Sequence, residues 1–334
     1  MVLVTGATGL VGSHLAIHLL ENGESVRALF RDFDSIQKTK VVFESNNKLD
    51  LFAKIDWICA DINDIPALEI AFQNIQYVYH CAALISFDPK DEEKLRKINI
   101  EGTANIVNFC LSKNIKKLCY VSSIAALGDL LEHEKIITEE TEWNAEKSHS
   151  DYAISKYGAE IEVFRAQQED LQVVIVNPGV ILGAGFFETG SGKIFTKVKN
   201  GLKFYTNGST GLVAVWDLVQ IMFLLMKSDI HGERFTIIAE NLSYKDLIFA
   251  IADAYKVKRP TILVSSFMTQ LASKIDWILS NIFMQKRKLS MDLANSLHSK
   301  ELISNEKIKT ALDYHFENIT ITIDKIVALD FRNP

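Results

Sequence analysis

Residues 5–12 read Thr-Gly-Ala-Thr-Gly-Leu-Val-Gly, and this stretch decides the fold. It follows the apolar run 2–5, a predicted strand, and opens a segment whose apolar period predicts a helix over 10–22, ended by Gly23. The first glycine permits a tight turn, the second lets backbone approach a pyrophosphate, and the third allows the helix to pack on the strand. The alternative is an ordinary strand-to-helix turn, because three glycines alone are a weak signal.

Beyond this turn, short apolar runs rich in Val, Ile and Tyr alternate with longer segments of helical period. This alternation predicts βαβ units and a parallel sheet. Further helices are predicted over 91–113 and 151–170. The predicted strands are 2–5, 25–30, 55–60, 77–82, 117–122 and 173–177.

The alternation of predicted strands and helices ends after residue 178, where glycine-rich loops (183–192 and 201–211) precede several helical segments. We therefore predict an α/β protein with a Rossmann-type, doubly wound parallel sheet in residues 1–177. A smaller, mostly helical substrate-binding part, interleaved with the sheet, is predicted for 178–334.

Composition narrows the function classes. The 334 residues are 48% hydrophobic and 23% charged, which is typical of globular proteins, and the net charge of -6 offers no basic field for nucleic acid. The four cysteines lie in apolar segments without metal-ligand spacing, so we predict buried apolar roles, no disulfides and no metal site.

Two segments bear on location. The chain starts with Met1-Val-Leu-Val and passes directly into the glycine-rich turn, so we expect no signal peptide and a cytoplasmic protein. The apolar stretch 262–284 contains Lys274, Asp276 and several serines, a poor composition for a bilayer core. A buried or interfacial amphipathic helix is the favoured interpretation there, with membrane contact the less favoured one.

Three side chains indicate acid/base chemistry. Tyr152 and Lys156 stand four residues apart, which places them on one face of a predicted helix. A nearby ammonium stabilises a tyrosinate and would lower the pKa of Tyr152 from about 10. Ser122 and Ser123 end a predicted strand, where parallel sheets bind ligands; their alternative role is to cap a loop.

The end of the second predicted strand bears on cofactor choice. An acid there bonds the ribose 2′-hydroxyl, whereas an arginine accommodates a 2′-phosphate. Here Phe30 stands where the acid is expected and Arg31 follows it, which favours NADP(H) over NAD(H). The alternative is that Arg31 is a solvated surface residue and Asp32 takes the ribose.

Taken together, these motifs resemble the extended short-chain dehydrogenase/reductase superfamily, from Met1 to about Phe316. The motifs occur in that superfamily's order, and their conjunction is specific where each alone is not. They are residues 5–12, Ala60-Asp61-Ile62, His80-Cys-Ala-Ala83, Asn99-Ile-Glu-Gly102-Thr, Ser122-Ser123, Tyr152-Ala-Ile-Ser-Lys156 and Asn177-Pro-Gly179.

The resemblance implies a role for each motif. Asp61 and Ile62 would hold the adenine, Ala82 and Ala83 would line the cofactor, and Pro178, Val180 and Ile181 would pack at the nicotinamide. Ser123 and Tyr152 would hold the substrate oxygen, Lys156 would also bond the nicotinamide ribose, and Asn99 would anchor backbone. Besides Arg31, the expected cofactor-binding residues are Gly6, Thr8, Gly9, Leu10, Val11, Gly12, Asp61, Ile62, Ala82, Ala83, Ser122, Tyr152, Lys156, Pro178, Val180 and Ile181.

Within the superfamily, two features favour reductases of the dihydroflavonol 4-reductase and 3β-hydroxysteroid dehydrogenase kind over nucleotide-sugar epimerases and dehydratases. Epimerases carry an asparagine where this chain has Val180-Ile-Leu-Gly183, and an arginine where it has Thr210. Both contact the sugar nucleotide, although lysines at 193, 197 and 203 could substitute.

We therefore expect an oxidoreductase that moves hydride between NADP(H), with NAD as the alternative, and a carbonyl or secondary alcohol on a small, largely apolar substrate. Ser123, Tyr152 and Lys156 would be catalytic. The other functions considered are an epimerase/dehydratase with retained NAD and a non-catalytic cofactor-sensing regulator.

Helices 91–113 and 151–170 carry more apolar rows than one buried face needs, which predicts a homodimer. The candidate pocket residues are Leu84, Ile85, Phe87, Phe186, Phe187 and Trp277.

Overall fold

Seven parallel strands form the central sheet of the computed structural model, which describes residues 1–283, 285, 287 and 289–332. The strands are, in chain order, β1 Val2–Thr5, β2 Val26–Phe30, β3 Asp56–Cys59, β4 Tyr77–His80, β5 Lys117–Val121, β6 Ile136–Ile137, β7 Gln172–Pro178, β8 Val180–Leu182, β9 Phe204–Tyr205, β10 Ser209–Ala214, β11 Glu233–Ile237, β12 Glu240–Ser243, β13 Ile262–Leu263 and β14 Leu302–Ile303. The central sheet has the order β11-β7-β5-β4-β1-β2-β3. This order reverses at β1, as in a doubly wound sheet.

The α-helices lie mostly between the strands. They are α1 Leu10–Glu21, α2 Phe33–Ser45, α3 Leu49–Phe52, α4 Ile65–Ala71, α5 Glu92–Leu95, α6 Gly102–Ser112, α7 Asp151–Gln168, α8 Lys193–Lys199, α9 Val215–Lys227, α10 Tyr244–Ala254, α11 Ser266–Ile282, α12 Met291–Ser296, α13 Glu306–Leu312 and α14 Ile319–Arg332. Among the described residues, no helix is both long and apolar enough to span a bilayer.

Two apolar layers hold the helices to the sheet. On one face, α1 and α9 pack on buried strand residues such as Val4 and Val174. On the other face, α4, α6 and α7 pack on residues such as Leu3 and Ile175. Because the strands are buried on both faces, they read as near-continuous apolar runs rather than as alternating ones.

The predicted fold class is confirmed, and all six predicted strands lie in the sheet with ends within two residues of the prediction. The seventh strand, β11, comes from the second half of the chain and pairs with β7. Residues 201–211, expected to be a glycine-rich loop, also contain β9 and the start of β10. The C-terminal region thus adds a strand to the main sheet and a small sheet of β12, β10 and β8 beside it.

The helix predicted over 91–113 is present, but it is not a regular α-helix throughout. The segment begins as 3-10 helix (Pro89–Asp91), continues as α5, widens to π-helix over Arg96–Glu101, and ends as α6. The widened turn contains Asn99, whose buried side chain hydrogen-bonds the backbone of Leu84. Such widened turns occur often at functional sites.

The structure corrects the expected burial of the cysteines and covers most of the apolar stretch 262–284. Only Cys110 and Cys119 are buried; Cys81 is half-buried, and Cys59 is exposed because it ends the edge strand β3. The apolar stretch predicted over 262–284 forms β13 and α11, and Met284 lies outside the described residues.

Candidate active site

The glycine-rich turn joins β1 to α1 and leaves a cradle open at its second glycine. Gly6 has a positive φ of 64°, and a Cβ there would lie 2.7 Å from the Ala82 nitrogen. A Cβ on Gly12 would lie 2.3 Å from the Gly6 oxygen, so both positions require glycine. A Cβ on Gly9 would lie 3.4 Å from the Gly6 carbonyl oxygen, so internal packing does not exclude a side chain there.

This geometry fits a dinucleotide pyrophosphate. Gly9 caps α1 without a side-chain hydrogen bond, which leaves the first turn of the helix to face an anion with its backbone N–H groups. Thr8, Leu10 and Val11 are half-buried around the same turn. The space beside Gly9 is therefore better explained by an external ligand than by the packing of the fold.

A buried hydrogen-bond chain connects this turn to the widened helix. The Ala82 N–H donates to the Thr5 hydroxyl (3.1 Å), which lies 2.7 Å from His80 Nδ1. His80 Nε2 lies 3.0 Å from the Thr103 hydroxyl, which in turn donates to the Asn99 carbonyl (2.6 Å). Because the Thr103 hydroxyl donates its proton to that carbonyl, it can only accept from His80. Nε2 of His80 therefore carries the ring proton, and Nδ1 accepts from the Thr5 hydroxyl. Burial lowers the pKa of His80 to about 3, so the ring is neutral.

Asn99 fastens the loop that follows β4. Its amide accepts from the Leu84 N–H (2.7 Å) and donates to the Leu84 carbonyl (2.9 Å), and it also donates to the Ser155 hydroxyl (2.8 Å). Ser155 lies between Tyr152 and Lys156 on α7. The expected backbone-anchoring role of Asn99 thus agrees with its contacts, which also tie the loop to the helix of the acid/base pair.

Ser123 and Tyr152 meet at the carboxyl end of the sheet. Ser123 follows β5, accepts from the Ala125 N–H (3.1 Å), and lies close enough to Tyr152 to lower the pKa of that phenol. Tyr152 is nearly buried on the first turn of α7, which Ser150 caps. Burial raises the pKa of Tyr152, and the nearby Ser123 side chain opposes that rise. The expected lowering of this pKa by Lys156 is therefore not found.

Lys156 points elsewhere, which explains the difference. Its ammonium donates to the Tyr120 hydroxyl (2.6 Å) and to the Val121 carbonyl (2.8 Å), and it lies 4.3 Å from the centre of the Tyr120 ring. Lys156 is 1% exposed, and this burial lowers its pKa to about 7, against the opposing effect of Glu160. Tyr120, which the sequence reading passed over as part of an apolar strand, is its principal partner.

A second buried network lies behind Ser123. Asn177 donates to the Ser123 carbonyl (2.9 Å) and to Glu160 (2.6 Å), and Glu160 also accepts from Arg234 (3.2 Å). Glu139 joins it, accepting with its carboxylate from the Thr236 N–H (2.6 Å). Burial raises the pKa of Glu160, while Ser122, Arg234 and Asn177 lower it. The sequence signal for this network is Glu160, a charged residue among the apolar positions of α7. The sequence analysis did not single it out.

The residues expected at the adenine end lie at the edge formed by β2 and β3. Arg31 is 65% exposed at its side chain and approaches Asp61, with 3.5 Å between guanidinium and carboxylate. Asp61 also accepts from the Asn63 N–H (2.8 Å). Asp32 caps α2 by accepting from the Asp34 N–H (3.1 Å). The buried Ile62 lies beside the widened helix, where Gly102 leaves it room.

At the other end of the crevice, the predicted residues gather around β7 and β8. Pro178 ends β7, and the half-buried Val180 and Ile181 form β8, with Ser191 donating to the Ile181 carbonyl. Ala82 is half-buried and Ala83 exposed after β4. These positions share the carboxyl edge of the sheet with the glycine-rich turn.

The candidate pocket residues fall into three groups. Ile85 and Phe87 are exposed on the loop that Asn99 anchors, and the Phe87 ring lies 5.7 Å from the Tyr152 ring. Phe186 and Phe187 pack on apolar core clusters. Trp277 lies on α11 and is 55% exposed. The contact with Tyr152 is thus made by Phe87.

Comparisons with known proteins agree with this arrangement. The model of the NAD dependent epimerase/dehydratase family matches residues 2–237. A Synechocystis sp. protein with the provisional name dihydroflavonol 4-reductase is 32% identical over 254 residues, covering 73% of this chain and 69% of its own length. The anthocyanidin reductase of Arabidopsis thaliana is 29% identical over 276 residues, covering 75% and 79%.

A solved structure matches almost the whole chain. The crystal structure of gox2253 superposes with a TM-score of 0.81 at 25% identity, over 99% of this chain and 98% of that one. The likeness therefore includes the C-terminal region, which the family model does not cover.

Proposed function

Because the chain belongs to the NAD dependent epimerase/dehydratase family of extended short-chain dehydrogenases/reductases, we propose a specific reaction for it. The chain is an NAD(P)-dependent reductase or dehydrogenase. The proposed reaction transfers hydride between NADP(H) and a carbonyl or secondary alcohol of a small, largely apolar substrate.

The observation that carries this proposal is the apolar approach to a pair of hydroxyl groups. The Ser123 side chain lies close enough to Tyr152 to lower the pKa of that phenol, and the centre of the Phe87 ring lies 5.7 Å from that of the Tyr152 ring. Ile85, on the same loop, is 61% exposed. Two hydroxyls at the end of an apolar surface suit one oxygen on a hydrocarbon-rich molecule better than a charged diphosphate.

In the reduction direction, the chain's own groups manage the substrate oxygen. The Tyr152 hydroxyl donates its proton to the carbonyl oxygen, and its raised pKa keeps that proton in place at neutral pH. The Ser123 hydroxyl donates a hydrogen bond to the same oxygen and stabilises the charge that develops on it. The nicotinamide cofactor, when bound, supplies the hydride.

The cofactor proposal rests on residues at both ends of the crevice. Gly9 would admit the pyrophosphate, and Arg31 would bind the 2′-phosphate of NADP(H), while Asp61 and Ile62 would hold the adenine. The carboxylate of Asp32 already caps α2, which weakens the alternative in which it binds the ribose of NAD(H). The Lys156 ammonium would reach the nicotinamide ribose from its contact with Tyr120.

We also propose a homodimer through the helices α6 and α7. Five of the apolar residues at helical spacing along 91–113 and 151–170 are buried or half-buried within the chain: Ile98, Ile106, Phe109, Ile154 and Phe164. The sixth, Ile161 on α7, is 51% exposed. A cytoplasmic location stays a prediction from the sequence.

A carbonyl library supplied with NADPH tests the reaction. We expect NADPH consumption with apolar ketones or aldehydes, and loss of that consumption in Tyr152→Phe. The epimerase/dehydratase alternative has a different signature, because its cofactor stays bound through purification and is not consumed. Thr210, which pairs with Leu242 in the small sheet, stands where those enzymes carry a diphosphate-binding arginine.

A further inference from the structure

The helix α11 has its apolar residues on the outside. Seven large apolar side chains form one stripe, each between 48% and 74% exposed. They recur at intervals of three, four and seven residues, so they share one helix face. The members of this outward stripe are Phe267, Met268, Leu271, Ile275, Ile278, Leu279 and Ile282.

The opposite face of α11 is small and polar, and it packs against the protein. Thr269, Ser273 and Ser280 are buried, with Thr269 bonded to His298 (2.9 Å). Arg287 donates to both the carbonyl (3.1 Å) and the hydroxyl (3.2 Å) of Ser273. These contacts fix the helix with its apolar stripe outward, the reverse of an ordinary surface helix.

The charge of this segment differs in sign from that of the chain. Between residues 266 and 290 the sequence has four basic residues, Lys274, Lys286, Arg287 and Lys288, and one acidic residue, Asp276. The whole chain has a net charge of -6. An apolar stripe within a locally basic segment complements the anionic headgroups and acyl chains of a lipid surface.

The stripe is also connected to the loop beside the candidate active site. The Arg287 N–H donates to the Asp88 carboxylate (3.3 Å), and Asp88 lies in the same loop as Ile85 and Phe87. Phe87 approaches Tyr152. A surface that received α11 would therefore lie near the apolar entrance to the hydroxyl pair, where an apolar substrate could arrive from it.

We propose that α11 lies on an anionic lipid bilayer with its outward stripe among the acyl chains. The helix lies along the surface, since its polar face is packed on the protein. The exposed Lys274 on α11 then faces the headgroups. This inference stands whether or not the substrate proposed above is correct.

Co-sedimentation of the full chain with lipid vesicles tests the proposal. Vesicles of equal parts phosphatidylcholine and phosphatidylglycerol should bind the wild-type protein, and vesicles of phosphatidylcholine alone should bind it much less. The double variant Ile278→Ser/Ile282→Ser should lose at least about tenfold in binding. Ile70→Ser/Ile321→Ser is the matched control, because these two isoleucines are as exposed but lie on α4 and α14.

A second variant tests the charge separately. Lys274→Ala, at an exposed position on α11, should weaken binding to the anionic vesicles about fivefold. Circular dichroism should show unchanged helix content in all variants, since every substituted side chain is exposed. Equal binding by wild type and stripe variant, or binding by neither, overturns the proposal. A wild-type dimer that becomes monomeric in the stripe variant, without vesicle binding, assigns the stripe to a second copy instead.

Discussion

The ammonium of Lys156 donates a 2.6 Å hydrogen bond to the hydroxyl of Tyr120 on the neighbouring strand. Both side chains are buried, and the ammonium also faces the Val121 carbonyl. The sheet thus holds the lysine of the proposed acid/base pair. Tyr152, one turn earlier on α7, does not. Its protonation is therefore linked to folding as well as to chemistry.

This link predicts a pH-dependent stability. Burial lowers the pKa of Lys156 from 10.5 to about 7, so between these values the unfolded chain binds a proton that the folded chain does not. Stability from this group therefore rises with pH across that window, on the order of 5 kcal/mol in total. Lys156→Met should flatten this part of the curve. Urea unfolding of both proteins at several pH values measures it, and parallel curves would contradict it.

Removing the hydroxyl of Tyr152 should stop the reaction while sparing cofactor binding. Tyr152→Phe is expected to lower kcat by about 10²- to 10⁴-fold, because only the proton donor is lost. Tyr157→Phe is the matched control on the same helix, since Tyr157 stacks on Trp143 and away from Ser123. Turnover is followed by NADPH consumption and cofactor affinity by titration. Wild-type turnover in the Phe variant would remove Tyr152 from the mechanism.

The sequence predicted the parts of the site that depend on strand order. Parallel strands end at one edge, so the glycine-rich turn, Ser123 and the residues around Pro178 had to lie near one another. The helical spacing of Tyr152 and Lys156 was equally readable. The direction of the Lys156 side chain could not be predicted from the sequence. It depends on the hydroxyl of Tyr120, which lies within an apolar strand.

The buried polar network behind Ser123 shows a second limit. Glu160, Arg234 and Asn177 come from distant parts of the chain, and only packing brings their charges together. The widened turn at Asn99 is similar, since helical periodicity continues through it in the sequence. Propensity and spacing describe a segment, whereas these features depend on its tertiary partners.

Glu160 offers a stability test of that network. Glu160→Gln keeps the shape but removes the charge that Arg234 and Asn177 donate to, leaving Arg234 with 18% exposure and a weaker partner. We expect a loss of about 2 kcal/mol in the free energy of unfolding. Glu162→Gln, which alters a more exposed ion pair with Arg165 on the same helix, should cost less than about 1 kcal/mol. Equal effects in urea unfolding would contradict a special role for Glu160.

The proposed dimer can be tested at Ile161. This side chain is exposed on α7, and burying it against a second copy would stabilise association. Ile161→Asp should convert a dimer to a monomer at micromolar concentration, whereas Ile70→Asp on α4 should not. Light scattering reads the mass directly. A monomeric wild-type protein at that concentration would refute the proposed assembly.

The proposed preference for NADP(H) depends on Arg31. Its guanidinium is exposed and meets only Asp61 at a long 3.5 Å, so it is free to turn toward a 2′-phosphate, which it can bind with two parallel donors. NADP(H) should therefore bind about ten- to a hundredfold more tightly than NAD(H). Arg31→Ala should remove this preference and leave NAD(H) affinity nearly unchanged, because Phe30 offers the 2′-hydroxyl no acceptor.

The matched control for that change is Arg259→Ala, which removes a similarly exposed arginine. Arg259 pairs with Asp253 on α10 and is distant from Arg31 in the sequence. It should retain the wild-type preference, so any general effect of lost positive charge is separated from the local one. Titration of both cofactors into the three proteins gives the ratio of affinities. Equal affinities in the wild type, or tighter NAD(H), would mean that Asp32 leaves its cap on α2 to bind the ribose, and Asp32→Ala should then weaken NAD(H) binding.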